Sequence, residues 1–220
     1  DEGVTLGKIL TGGGKGKNIK FEDPNQINLV ALVSTKEILS FGHGKEIIVL
    51  IDCGVKQNII RRLVARNFKV VVVPFDTDVL KLNFSFLAVV VSNGPGDPMM
   101  LKVTVNNVKK IMAKKIPIFG ICLGNQILAL AAGGTTYKMP FGHRSQNQPV
   151  VDRTQSGNKC YLTTQNHGFA VKKIPNQFRE WFRNANDNTN EGIIHRELPF
   201  MSVQFHPESS PGPEDTDWVF

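Results

Sequence analysis

The chain is built from continuous apolar runs separated by segments of helical period. EIIVLID (46–52), KVVVVP (69–74), FLAVVVS (86–92) and IPIFGI (116–121) are apolar at nearly every position, as expected of strands buried on both faces. After the first run, VKQNIIRRLVARN (55–67) sets Val55, Ile59, Ile60, Leu63 and Val64 on one helical face. An amphipathic stretch runs from Leu101 to Ala113, and the small-residue segment LGNQILALAAG follows the fourth run as another helix. This alternation predicts an α/β fold with a mostly parallel central sheet and helices on both faces. The loops at the strand carboxyl ends are then available for a site. After Gly134 the pattern changes to short strands divided by turns: TTYKM, QPVVD, KCYLTT, FAVKK, GIIHR and FMSVQFH. These predict a small antiparallel sheet beside the parallel one, delivering residues to the same edge. Residues 1–44 hold TGGGKGKN, an FEDPN turn and the polar LVSTKEILSFGHGK, and read as a linker or the tail of a preceding domain; the compact domain is expected over 45–220.

Composition narrows the class. With 220 residues, 41% of them hydrophobic, the chain can bury one sizeable core. No apolar run reaches the length of a membrane span, and DEGVTLGKIL lacks the basic-then-apolar order of a secretory signal. The absence of an initiator Met suggests a piece of a longer polypeptide. Three cysteines, Cys53, Cys122 and Cys160, are too few and too odd in number for a disulfide framework, which points to a reducing compartment, cytoplasmic rather than mitochondrial. The net charge of +7 is spread out. Lys15, Lys17 and Lys20 cluster near the start, and Lys109, Lys110, Lys114 and Lys115 share a helix. Without interleaved aromatics or a nucleic-acid motif, these read as solvated surface or a protein interface, with neither nucleic acid nor membrane as partner.

The sharpest local feature is Gly120-Ile121-Cys122-Leu123-Gly124, a strand running into a helix with glycine two residues to each side of a cysteine. This is the cysteine form of a nucleophile elbow, and the helix N-terminus favours a thiolate there. The alternative is a buried core cysteine, which is the preferred reading for Cys53 and Cys160. A base is supplied by Val203-Gln204-Phe205-His206-Pro207-Glu208: in extended chain His206 and Glu208 share a side, so Glu208 can orient the imidazole. Ser92-Asn93-Gly94-Pro95-Gly96-Asp97-Pro98 is either an oxyanion-hole loop or a simple Gly/Pro turn, and Gln165-Asn166-His167-Gly168-Phe169 either reads a small polar ligand or caps a turn.

Other patterns lead nowhere. Gly12-Gly13-Gly14-Lys15-Gly16-Lys17-Asn18 has the wrong spacing for a phosphate loop, and no strand precedes it. His143, His167, His195 and His206 are too far apart in sequence, and too lacking in cysteine partners, to predict a metal site. Asn83-Phe84-Ser85 matches a glycosylation acceptor without other signs of secretion.

Taken in order, SNGPGDP, GICLGNQ, FGHRSQNQPV, TTQNHGFAV and SVQFHPESSPGP resemble the class I glutamine amidotransferase domain of carbamoyl phosphate synthetases, eukaryotic type, over about residues 46–220. GICLG and QFHPE are shared across class I amidotransferases, whereas QNHGF and the GH…QN…PV stretch are specific to the carbamoyl phosphate branch. The leader FEDPNQINLVALVSTKEI is similar to the segment before this domain in eukaryotic enzymes, where glutaminase and synthetase are often fused. The resemblance implies that Cys122 attacks glutamine, His206 moves protons and Glu208 orients it. It assigns Leu123, Gly94 and Gly96 to the oxyanion and substrate pocket, and Gln126, Asn166, Gly168 and Phe169 to glutamine. It implies no cofactor or metal in this domain, ATP and Mg in the synthetase partner only, and a preceding domain adding a serine contact and much of the interface. Asn125 stands where the family often has His. The competing readings are an amidotransferase serving anthranilate, GMP or CTP synthesis, against which QNHGF argues, and a non-catalytic glutamine-binding module, against which the intact Cys122, His206 and Glu208 argue.

Overall fold

A computed structural model describes residues 3–7, 9, 20–155, 157 and 159–220. The glycine-lysine stretch 12–18, with Lys15 and Lys17, lies outside the described residues. The described chain contains a short helix α1 (Val30–Val33), strands β1 (Leu39–Phe41) and β2 (Ile47–Asp52), helix α2 (Gln57–Ala65), β3 (Lys69–Pro74), β4 (Ala88–Val91), helix α3 (Lys102–Ala113), β5 (Ile118–Ile121) and helix α4 (Leu123–Ala131). Five more strands follow: β6 (Thr135–Asp152), β7 (Cys160–Lys173), β8 (Phe178–Asn184), β9 (Asn190–His195) and β10 (Phe200–Val203).

All ten strands form one sheet in the order β1-β3-β2-β4-β5-β10-β9-β8-β6-β7. The block β3-β2-β4-β5-β10 is parallel, and the β10-β9-β8-β6-β7 side is antiparallel. The fold is therefore α/β with a mostly parallel centre, and the antiparallel strands extend the same sheet instead of forming a small one of their own. The joint is β10, which pairs parallel with β5 through Val203↔Ile121 and antiparallel with β9 through Val203↔Gly192.

The two-residue period of a strand divides the central side chains between two faces. Val49 and Ile51 of β2 enter a cluster with Val108 and Ile111 of α3 and with Leu123, Ile127 and Leu128 of α4. Ile48 and Leu50 point the other way, to Ile59, Ile60 and Leu63 of α2. Helices thus cover both faces, and α4 is buried nearly all round, as its small and apolar composition requires.

The packed unit begins before residue 45. Val30 is buried in the core, and β1 adds an antiparallel edge strand through Ser40↔Val71, although its exposed polar pattern reads as linker in sequence. In the second half, TTYKM and QPVVD belong to one long strand, β6. Register shifts between Lys138/His143 and Ser145/Gln148 absorb the Pro and Gly residues that read as breaks. KCYLTT and FAVKK likewise form one strand, β7. Strand β8, FREWFRN, escapes a reading by alternation because a bulge between Glu180 and Phe182 buries two adjacent aromatics, Trp181 and Phe182.

Phe182 is fully buried and meets the rings of Tyr161, Phe205, Trp181 and Trp218, so it ties the antiparallel extension together. Phe182→Ala is expected to lower stability by about 3–5 kcal/mol in urea unfolding, the usual loss for deleting a core aromatic. A loss below about 1 kcal/mol would show that this cluster is not a core.

Candidate active site

Four loops leave the carboxyl ends of adjacent parallel strands and meet at one edge of the sheet: those after β2, β4, β5 and β10. The loop after β2 is held by Asp52, whose Oδ1 accepts from Gly54 N (2.8 Å) and Val55 N (2.7 Å) and whose Oδ2 accepts from Thr35 N (2.7 Å). It is tied to the loop after β4 by Cys53 N donating to Ser92 Oγ (2.9 Å) and Lys56 N donating to Asn93 Oδ1 (2.9 Å). Gly94 must be glycine because a Cβ there would collide with the Cys53 carbonyl, and Gly96 has φ +87°.

After β5 the chain turns into α4 at a single residue, Cys122, with φ 55° and ψ −101°. A non-glycine residue rarely occupies such backbone, and its neighbours explain how it is tolerated. A Cβ on Gly120 would lie 2.5 Å from the Gly124 carbonyl oxygen, and one on Gly124 would penetrate the Val91 carbonyl. Cys122 N donates to Val203 O (2.8 Å), which locks the turn to β10. The first N–H groups of α4 have no acceptor within the helix, and its first residue, Leu123, lines the cleft at the positive end of the helix dipole.

β10 delivers the partner. His206 is 7% exposed; its Nδ1 donates to Glu208 Oε1 (2.8 Å) and its backbone N donates to Thr164 O of β7 (2.9 Å). Cys122 and His206 both line the same cleft. Burial by itself lowers the His206 pKa, but the Cys122 sulfur and then Glu208 outweigh it and raise the value to about 10. Glu208 is fully buried, 3.5 Å from Lys56 Nζ, and Asn58 of α2 donates to its backbone carbonyl. The Cys122 sulfur, the His206 imidazole and the Glu208 carboxylate are therefore gathered at this one edge of the sheet.

These groups open into a cleft of about 460 Å³ lined by Gly94, Gly96, Cys122, Leu123, Gln126, Asn166, Gly168, Phe169 and His206, which gathers the sequence-selected candidates, apart from the buried Glu208 behind the imidazole. Gln126 Nε2 donates to Phe169 O (2.8 Å), joining α4 to the β7 wall. Of the other cysteines, Cys53 is fully buried, its thiol pKa pushed up by burial and by Asp52, and Cys160 is exposed and outside the cleft.

Sequence reading gave no site role to Gln204, Asn125 or Arg144. Gln204 is fully buried; its Oε1 accepts from Asn125 Nδ2 (3.1 Å) and Gln126 Nε2 (3.1 Å), and its Nε2 donates to Cys122 Sγ (3.7 Å). Asn125 in turn accepts from Ser202 Oγ (2.8 Å), so the residue at the departure from the family pattern is a buried bracket between α4 and β10. A polar residue within the apolar run before His206 was the available signal. Arg144, which also lines the cleft, had none beyond its charge.

Two of the histidines lie much closer together than their separation in sequence suggests. His143 and His167 are register partners in β6 and β7, and with Glu191 of β9 they bring ligand-type atoms within 4.8 Å of one another. Sequence separation concealed this, because the pairing is made by strands. Their nitrogens are engaged in a network: His143 with Gln165 Oε1 (2.7 Å), Glu191 Oε1 (3.2 Å) and Asp187 Oδ2 (2.8 Å), and His167 with Phe169 O (2.9 Å) and Gln165 Oε1 (3.0 Å). Burial and then the charge of His143 lower His167 to about 3, so it is neutral at ordinary pH. Burial pulls His143 down as well, but Glu191 and Asp187 outweigh it and raise its pKa to about 9.

Comparison with known proteins follows the same lines. The family model for glutamine amidotransferase class-I matches residues 49–220. The chain is 53% identical over 209 residues to a carbamoyl phosphate synthase small chain of Methanocaldococcus jannaschii, covering 91% of this chain and 57% of that one. It is 44% identical to a carbamoyl phosphate synthase arginine-specific small chain of Hypocrea virens, and 45% to a mitochondrial carbamoyl-phosphate synthase (ammonia) of Rattus norvegicus. It covers 50% and 14% of those two relatives, with all of this chain matched. Among solved structures, a glutamine amidotransferase of Thermotoga maritima shares the fold with TM-score 0.62 at 20% identity, over 76% of this chain and 77% of that one. A putative GMP synthase protein of Thermoplasma acidophilum does so with TM-score 0.70 at 23% identity, over 80% and 92%.

Because His143 is raised on folding from 6.5 to about 9, its contribution to stability is complete below 6.5 and is lost as pH rises through about 9. The melting-temperature gap between wild type and His143→Gln should accordingly be widest near about pH 6 and shrink by about pH 10. A gap that does not change with pH would mean that the His143 charge plays no part.

Proposed function

The chain belongs to the class I glutamine amidotransferase family, and we propose that it hydrolyses glutamine to glutamate and ammonia through a thioester on Cys122 and supplies the ammonia to an ATP-using carbamoyl phosphate synthetase. The observation that carries the reading is the strained Cys122 elbow beside the His206–Glu208 pair. The synthetase partner rests on similarity to carbamoyl phosphate synthase chains of which this chain spans only part.

The chemistry follows from the positions. The Cys122 thiolate adds to the side-chain amide carbon of glutamine, and the carbonyl oxygen takes up negative charge. Backbone N–H groups at the start of α4, Leu123 first, and the Gly94–Gly96 loop stabilise that oxyanion. His206, protonated at neutral pH, gives its proton to the amide nitrogen; the C–N bond breaks, ammonia leaves and a glutamyl thioester remains. Water then adds to the thioester with its proton passing to His206, and glutamate departs as the sulfur is restored. Glu208 keeps the imidazole Nδ1–H engaged, which leaves Nε2 for this traffic. Ammonia is a nucleophile only while unprotonated, so its release has a use where a docked synthetase receives it by a sheltered path. ATP and Mg act in that partner, and the glutaminase steps need neither.

In the complete enzyme, Cys122→Ala should abolish carbamoyl phosphate formation from glutamine and leave formation from ammonium salt near the wild-type rate, since only one sulfur atom is removed. A mutant that still uses glutamine removes Cys122 as nucleophile. One that cannot use ammonium either would contradict the division of labour between the two domains.

A further inference from the structure

The cleft holds one charged side chain that no described residue neutralises. Arg144 stands on β6 directly opposite Asn166 of β7 and lines the cleft. Two glycines make room for its guanidinium: a Cβ on Gly142 would lie 2.6 Å from Nη1 and 3.0 Å from Cζ, and one on Gly168 would lie 3.4 Å from Nη2. The Arg144 side chain makes no hydrogen bond or ion pair with any described residue. The other cation of the cleft, His206, is matched by Glu208, and no lining residue is acidic.

Arg144 is exposed, so its guanidinium stands where an incoming ligand can reach it. It offers five donors without a protein acceptor, and its planar fork suits a carboxylate. The cleft therefore carries both the Cys122 thiol and a planar cationic fork of the kind that suits a carboxylate. A free amino acid whose side chain ends in an amide carries both matching groups. We propose that Arg144 binds the α-carboxylate of glutamine and so selects free glutamine over glutamine within a peptide, whose carboxyl is already an amide. This rests on the glutaminase reading above and adds to it the residue that determines specificity.

The structural alternative is that Arg144 only packs between Gly142 and Gly168 with its head in water, and substrate discrimination separates the two. Glutaminase activity of the complete enzyme is measured for wild type, Arg144→Met and Arg144→Lys. The substrates are L-glutamine and γ-aminobutyramide, which keeps the amide and the amine but lacks the carboxylate. For Arg144→Met, KM for glutamine should rise about tenfold or more while kcat stays within about threefold, because a charge-assisted contact is lost far from the reacting bond. Arg144→Lys should fall between, since a point charge replaces part of the fork. On γ-aminobutyramide the variants should match wild type, as there is no carboxylate to miss. An unchanged KM for glutamine, or an equal loss on both substrates, overturns the assignment. Failure of wild type to hydrolyse glutamine overturns the glutaminase reading itself, and this inference with it. Should Arg144→Met misfold, the intermediate KM of Arg144→Lys decides.

Discussion

Cys122 is held at φ 55° and ψ −101° because β5 must pass into α4 without an intervening loop. Everything in the cleft depends on that turn. It projects the sulfur outward at the sheet edge and aims the unsatisfied N–H groups of α4 at the same space. Backbone of this kind stores about 1–3 kcal/mol of strain, which the surroundings must hold. They do so by close approach: Gly120 against the Gly124 carbonyl, Gly124 against the Val91 carbonyl, and Cys122 N bonded to Val203 O. The same constraint fixes where β10 runs, and with it the position of His206 and Glu208 three and five residues beyond Val203.

How much of this was legible in sequence depended on whether the signal was local. The parallel strands and α2, α3 and α4 were readable because each buries a continuous run or a single helical face. The elbow was readable because its glycines sit at fixed offsets from the cysteine, and His206 and Glu208 because a two-residue period shows in any extended segment. What escaped was set by partners distant in the chain. The long strands β6 and β7 looked interrupted because bulges carry their Pro and Gly residues, and β8 because a bulge breaks its alternation. β1 looked like linker because its own side chains are mostly exposed while its backbone pairs with β3. His143 and His167 meet only through strand register, and Gln204 is explained only by Asn125 and Gln126 on another element.

Two polar systems flank the sulfur. Behind it, Gln204, Asn125, Gln126 and Ser202 form a buried, mutually satisfied bracket that ties α4 to β10. To one side, Glu191, His143 and Gln165 support the strand that carries Asn166, Gly168 and Phe169, through His167 and its bond to Phe169 O. A buried network whose groups find partners, as those of the Gln204 bracket do, rigidifies a wall, which is what a site that must hold a carbonyl against fixed donors needs. His206 is matched by Glu208, which leaves Arg144 as the unpaired cation among the described lining residues, complementary to a ligand with an anionic end.

If Cys122 carries the acyl group while His206 moves the protons, a covalent glutamyl enzyme must form during turnover. The most direct test is to mix the complete enzyme with glutamine, quench in acid within the first turnovers, digest and weigh the peptides. One glutamyl group should be added to the peptide containing Cys122, and this adduct should disappear when hydroxylamine cleaves thioesters. A glutamyl group on the Cys53 or Cys160 peptide, or steady hydrolysis of glutamine with no adduct on any peptide, would contradict it.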